Sequence, residues 1–129
     1  MKFPHLFEPG KIGECQIKNR IIMALFPTKY ATESKVNPRM MEFYRARARG
    51  GVGLIVLDCV CLDYPRAYKG TKELRFDSDE YAQSISALLG VIHAEGSKAF
   101  MQLNYPKERV FDTEVPGGKK KGDVWTLPL

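Results

Sequence analysis

The run KAFMQLN, residues 98–104, closes an apolar segment on two carboxamides, Gln102 and Asn104. In an extended strand Phe100, Gln102 and Asn104 share one face while Met101 and Leu103 take the other, so both amides can line a common cavity. A carboxamide offers a donor and an acceptor, and burying it without partners is costly. Two uses meet that demand: reading a ligand edge that mixes donors and acceptors, or tying down neighbouring loop backbone. Taken alone, Gln102 fits the second better. Cys59 and Cys61 are the closest pair of thiols, but as metal ligands they need two more, and neither His5 nor His93 sits at convincing spacing. Buried thiols are the simpler reading. His93 and Glu95 close a helix and read as packing and capping groups.

These groups need elements to hold them, and the chain alternates strand and helix signals. In KIGECQIKNRIIMAL, Lys11–Ile12 and Gln16–Ile17 flank Gly13 and Glu14 as a small hairpin, before Arg20–Ala24 enters as a strand. Residues 1–19 thus form a hairpin lid. Asn37 and Pro38 supply an N-cap and a first helical residue, and Met40, Tyr44 and Ala48 recur on one face until Gly50 and Gly51 stop the helix. VGLIVLDCV follows with almost no alternation, the pattern of a parallel strand covered on both faces. After a loop containing Pro65 and Gly70, Tyr81, Ile85, Leu88 and Ile92 make a second helical stripe that begins near Ser78 or Asp79 and ends at Gly96. KAFMQLN is the third strand, and EVPGGKKKGDVWTLPL reads as the loop leaving it.

Composition excludes several classes. A chain of 129 residues, 44% hydrophobic and 27% charged, fits one globular domain at most. Lys and Arg exceed Asp and Glu by 20 to 15, yet the densest basic pieces, Arg45, Arg47 and Arg49 and the triplet Lys119–Lys121, are not interleaved with aromatics. They read as solvated surface, so nucleic acid is not an expected partner. No apolar run approaches the roughly 20 residues that span a bilayer. Three cysteines without a secretory leader imply reduced thiols and a cytoplasmic setting.

Strand, helix, strand, helix, strand with short connections is a parallel α/β unit with right-handed crossovers, residues 20–104. A phosphate loop would place glycines after a strand and ahead of a helix, but Gly51 and Gly53 lie after a helix and before a strand. A (β/α)8 barrel instead puts chemistry at strand carboxyl ends. Here those are Ala24–Thr28, Asp58–Cys61 and Gln102–Asn104, and they are the polar ends.

Three segments carry a family resemblance: LFEPGKIGECQIKNRIIMA, FYRARARGGVGLIVLD and IHAEGSKAFMQLN. In order and at natural spacing they resemble the amino-terminal third of the old yellow enzyme family of flavin-dependent oxidoreductases. Its branch containing 2,4-dienoyl-CoA reductase and related 2-enoate and bile-acid reductases is particularly similar. The resemblance implies an α/β fold, the amino-terminal portion of a (β/α)8 barrel with a leading β-hairpin, about three parallel strands and two helices. Residues 1–129 then form an incomplete barrel domain, with 105–129 as loop and tail.

The resemblance also implies roles. In such enzymes the glutamine of the third strand hydrogen-bonds the pyrimidine edge of FMN, and Gln102 occupies that position. Relatives carry M-A-P-M-x-T after strand one, against the flavin. Here Ala24 and Thr28 match, Leu25 replaces the proline, Phe26 packs against a ring or fills the core, and Pro27 stands where a small residue is common. Cys59 falls where relatives place Gly or Ala close to the flavin. The cofactor set implied is FMN, with NAD(P)H as electron donor, and an iron–sulfur cluster and FAD only in a longer form. Relatives continue QLNHAGR where this chain has QLNYPKERVF, with Tyr105 at the histidine position and Lys107 or Arg109 as replacement cations. Groups that hold the substrate carbonyl, donate the proton and grip the FMN phosphate lie later in family sequences. Two functions follow: the amino-terminal segment of an FMN-dependent ene-reductase, contributing part of the flavin site for a small unsaturated substrate, or an inactive, self-associating α/β module. Exposed apolar strands predict a homo-oligomer or a complementing chain.

Overall fold

A computed structural model describes residues 2–64, 70–104 and the backbone of 125–128. A 3-10 turn at Pro4–Leu6 leads into the hairpin β1 (Gly10–Ile12) and β2 (Cys15–Ile17). Gly13 turns it with φ +56°, a conformation glycine adopts without penalty. The main sheet holds β3 (Ile22–Met23), β4 (Leu54–Cys61), β5 (Lys98–Asn104) and β6 (Trp125–Pro128) in that spatial order. The pairs β3–β4 and β4–β5 are parallel, and β5–β6 is antiparallel. Helices α1 (Pro38–Arg49) and α2 (Asp79–Ala94) make the two crossovers. This is the expected set of three parallel strands, two helices and a leading hairpin.

Two boundaries differ from the sequence reading. The first parallel strand is Ile22–Met23 rather than Arg20–Ala24, because flanking backbone groups bond elsewhere: Arg20 N–H donates to Leu6 O at 2.9 Å and Ile21 N–H to Asn19 Oδ1 at 3.1 Å. Trp125–Pro128 is a strand where the tail reads as loop. Its partner is the outer edge of β5, whose backbone groups otherwise lack a ladder. Residues 105–124 and 129, including Tyr105, Lys107 and Arg109, lie outside the described residues.

Local chemistry explains α1. Asn37 Oδ1 accepts Met40 N–H at 2.9 Å, its Nδ2 donates to Tyr30 O at 2.5 Å, and Pro38 occupies the first turn where no donor is needed. Met40, Tyr44 and Ala48 of α1, with Ile85, Leu88 and Ile92 of α2, pack on Ile55, Leu57, Val60, Ala99, Met101 and Leu103 of the sheet. Each buried Leu, Ile, Val or Met among them contributes roughly 1.5–3 kcal/mol by leaving water. On the other face Ile17 of the hairpin packs with Leu54 and Phe100. Leu54 is the first residue of β4, so the hairpin covers the amino-terminal end of that face, opposite Gln102.

Candidate functional site

The polar groups gather where β4 and β5 end. Leu57 pairs with Met101 and Val60 with Leu103, so β4 spends three residues where β5 spends two. The extra residue is a bulge, and Cys59 within it has φ +44°, a conformation costing about 1–3 kcal/mol for a residue with a Cβ. A bulge frees a backbone N–H from the ladder. That of Cys59 meets Gln102 Oε1 at 3.4 Å, and the Cys59 Sγ lies 3.8 Å from the same oxygen. Gln102 is half-buried, and its NH2 has no partner among the described residues. The carboxamide acceptor thus ties down the bulge backbone.

The segment after β3 reaches the end of β4, where Pro27, Thr28 and Lys29 line a small cavity with Asp58. Ala24 is exposed, and Leu25 and Phe26 are 41% and 59% exposed, so Phe26 does not fill the core. These residues present apolar surface at the strand ends. Thr28 is half-buried and turned the other way. Its Oγ1 accepts Tyr30 N–H at 3.4 Å, and a hydrogen bond links it to Tyr44. Burial pushes the Tyr44 phenol up to about 12, the charge of Asp58 adds to that, and Arg47 and Thr28 oppose it. Tyr44, Thr28, Asp58 and Glu73 line a cavity of about 20 Å³, room for one water.

Sequence reasoning missed the ion pair beside it. Lys29 Nζ bonds the Glu73 carboxylate, which is only 9% exposed, and that hydrogen bond raises the lysine above its usual range. The partners are 44 residues apart and share no local motif. Only the positive φ of Lys29, +56°, marks its end of the pair, and no sequence pattern announces it. Beyond it, Arg75 grips Asp77 through Nε and Nη2 at 2.8 and 2.6 Å, donates to Tyr81 Oη at 2.9 Å, and stacks on the rings of Tyr64 and Tyr81. This pins the connection between β4 and α2. A second, open cleft of about 590 Å³ lies by the hairpin, lined by Pro9, Gly10, Gln16, Ile17, Arg20 and Ile22, with none of the predicted site residues.

At the strand ends the structure joins Cys59 to Gln102, leaves Leu25 and Phe26 exposed after β3, and ties Thr28 to Tyr30 and Tyr44. These groups suit a planar, polar-edged ligand: an apolar surface for the plane and a donor for a carbonyl at its rim.

A family profile described as NADH:flavin oxidoreductase / NADH oxidase matches residues 5–119. A NADH oxidase from Thermoanaerobacter brockii is 43% identical over 104 residues, 80% of this chain and 16% of that protein. A metal reductase from Desulforamulus reducens is 39% identical over 98 residues, 76% of this chain and 14% of the relative. Among solved structures, an old yellow enzyme from Trypanosoma cruzi superposes with TM-score 0.65 at 30% identity, over 80% of this chain and 27% of that one. An old yellow enzyme from a Pichia species does so with TM-score 0.71 at 23% identity, over 80% and 27% respectively, a likeness of fold. The chain thus spans about one sixth of the length of the first two relatives.

Proposed function

The chain belongs to the NADH:flavin oxidoreductase / NADH oxidase family, the old yellow enzyme family, and from that premise we propose that it contributes a strand-end shelf to an FMN site. The reaction proposed is reduction of a small, electron-poor alkene of the enoate or dienoyl-CoA type at the expense of NAD(P)H. The carrying observation is Gln102, half-buried at a strand end, whose NH2 has no partner among the described residues while its oxygen holds the bulge at Cys59. FMN, when bound, supplies the two-electron carrier that takes hydride from the nicotinamide and gives it to the alkene.

The residues present suit that group. The Gln102 donor matches a ring carbonyl, and the exposed Leu25 and Phe26 match an apolar plane. The Ala24–Phe26 backbone lies at the edge of the shelf, and the half-buried Cys59 narrows it. Thr28, bonded to Tyr44 and Tyr30, anchors the segment that follows β3. The reading places the protein in the cytoplasm, in keeping with its three free cysteines. Among the described residues no helix is long and apolar enough to cross a membrane.

A second reading, a catalytically silent α/β module, draws support from the exposed Ile22, Leu25 and Phe26. Flavin titration separates the two. The purified chain should quench FMN fluorescence saturably, and Gln102→Leu should weaken that binding about tenfold, as expected for one hydrogen bond to a buried polar group. No saturable quenching, or quenching equal in the variant, would leave the silent module standing.

A further inference from the structure

The backbone of β5 has two sides, and the direction of each residue can be read from its bonds. Lys98 N–H donates to Gly53 O at 2.9 Å and Asn104 O accepts Leu62 N–H at 3.1 Å, so the even-numbered residues of β5 turn their backbone groups toward β4. The odd-numbered ones turn away from it. Left without a partner, Met101 and Leu103 would each present a free donor and acceptor on a strand where Ala99, Phe100, Met101 and Leu103 are all buried. Such an edge is a template for another chain. β6 meets it in register, Met101 opposite Leu127 and Leu103 opposite Trp125. Facing residues of an antiparallel ladder alternate between pairs that exchange both bonds and pairs that exchange none. The parity of β5 therefore puts the bonds at these two pairs and none at Phe100↔Pro128 or Gln102↔Thr126.

The same parity decides what β6 shows to the outside. Trp125 and Leu127 commit their backbone groups to β5, whereas Thr126 and Pro128 turn theirs outward. Pro128 has no N–H, so it removes nothing from the inner ladder, and within β6 it reduces the outward donors to that of Thr126. At position 127 the same ring would break a bond to β5. Among the described residues β6 is the last strand of the sheet, and it runs antiparallel, whereas every strand of a (β/α)8 barrel is parallel. It is thus an addition to the barrel-like unit and not one of its strands. The opposite end of the sheet is blunted by other means: β3 is two residues long, and the N–H groups of Arg20 and Ile21 before it are bonded to Leu6 O and Asn19 Oδ1. Very short edge strands and edge prolines are both ways in which sheets avoid joining one another.

We propose that Trp125–Pro128 is a built-in cap of the sheet: it satisfies the outer edge of β5 from within the chain and, through Pro128, ends the ladder so that a second copy does not extend it. Pairing of copies through this edge requires β6 to come away first. Contacts through apolar surface elsewhere on the chain are unaffected by the cap. The proposal rests on register and backbone chemistry and is independent of flavin binding.

Proline substitutions on the two sides of β6, made in the full chain, test the cap. Leu127→Pro removes an inward N–H and Thr126→Pro an outward one, with the same ring in adjacent positions. At concentrations low enough to keep each chain monomeric, the Met101 and Leu103 amides should be protected from hydrogen exchange in wild type and T126P. In L127P they should exchange about tenfold faster, the effect of losing about two backbone hydrogen bonds. In sedimentation velocity at rising concentration L127P should self-associate about tenfold more tightly than wild type, for the same reason, and T126P no more tightly. Pro128→Thr leaves the inner ladder intact and returns an outward donor, so it should keep both amides protected yet raise self-association about threefold. That variant decides the matter where circular dichroism shows L127P to have lost its helices. Unprotected Met101 and Leu103 amides in wild type, equal effects of L127P and T126P, a folded L127P that associates no more than wild type, or a P128T that gains nothing each overturns the proposal.

Discussion

Replacing Gly53 by alanine tests how the first two parallel strands are locked together. A Cβ at Gly53 would lie 2.5 Å from the Asn19 carbonyl oxygen and 2.6 Å from Asn19 Oδ1. Neither neighbour can retreat freely. Asn19 is 8% exposed, its Nδ2 donates to Gly51 O at 2.7 Å, and its Oδ1 accepts Ile21 N–H at 3.1 Å. From the other side Gly53 N–H donates to Ile21 O and Lys98 N–H to Gly53 O, each at 2.9 Å. Overpacking of a close-packed site costs about 1–3 kcal/mol, and losing one or two of these hydrogen bonds adds about 0.5–1.5 kcal/mol each. Reduced freedom of the unfolded chain returns about 0.4–1 kcal/mol. The net expectation is a loss of about 3 kcal/mol, a fall in Tm of roughly 10 °C for a domain this size. Urea unfolding followed by circular dichroism measures it, with Gly90→Ala as the counterpart. Nothing lies within 4 Å of a Cβ at Gly90 in α2, so that variant should gain up to about 1 kcal/mol of helix propensity. A Gly53→Ala chain within 0.5 kcal/mol of wild type would refute the reasoning, as would equal losses in both variants. The contact also bears on the site, because it sets the register Ile22↔Leu54 that delivers Ala24–Thr28 beside the end of β4.

Three further outcomes follow from the packing. Tyr44 titrates near 10 when unfolded but is pushed up to about 12 when folded, so its share of stability, about 2–3 kcal/mol, is intact below pH 10 and lost as pH rises from 10 to 12. Tyr44→Phe should flatten that alkaline limb in pH-dependent urea unfolding. Asn37→Ala removes the cap of α1 together with its bonds to Tyr30 O and Thr32 Oγ1, an expected loss of about 2 kcal/mol that Asn37→Asp should only partly restore, since it returns the acceptor alone. Its measure is the shift in the urea midpoint. The Arg75 guanidinium holds the Asp77 carboxyl below its usual 3.8, so the stability it lends is present above that pH and fades as pH falls through the lowered value. Asp77→Asn should make the acid limb of an unfolding profile shallower; an unchanged limb would assign acid sensitivity to other carboxylates.

The sequence by itself determined the order of elements, the caps and the faces. Asn37, Pro38 and Gly50 bound α1 through contacts within a few residues, and the stripes Met40–Tyr44–Ala48 and Ile85–Leu88–Ile92 bury because helical spacing puts them on one side. The unalternating LIVLDCVC of β4 announced a strand covered on both faces. The polar strand ends were legible too, since Asp58, Gln102 and Asn104 stand there in the sequence. Only the tertiary structure decided how those ends are used. The bulge at Cys59 exists because β4 and β5 fall out of step, and the bond that satisfies it spans 43 residues. The pairing of Arg49 at the end of α1 with Glu95 spans 46 residues, although the sequence shows only a basic run. The hairpin likewise declared its strands but not its place at the amino-terminal end of the sheet. Patterns within a turn or a strand are fixed by backbone geometry, whereas these contacts join groups tens of residues apart, and only packing brings them into reach.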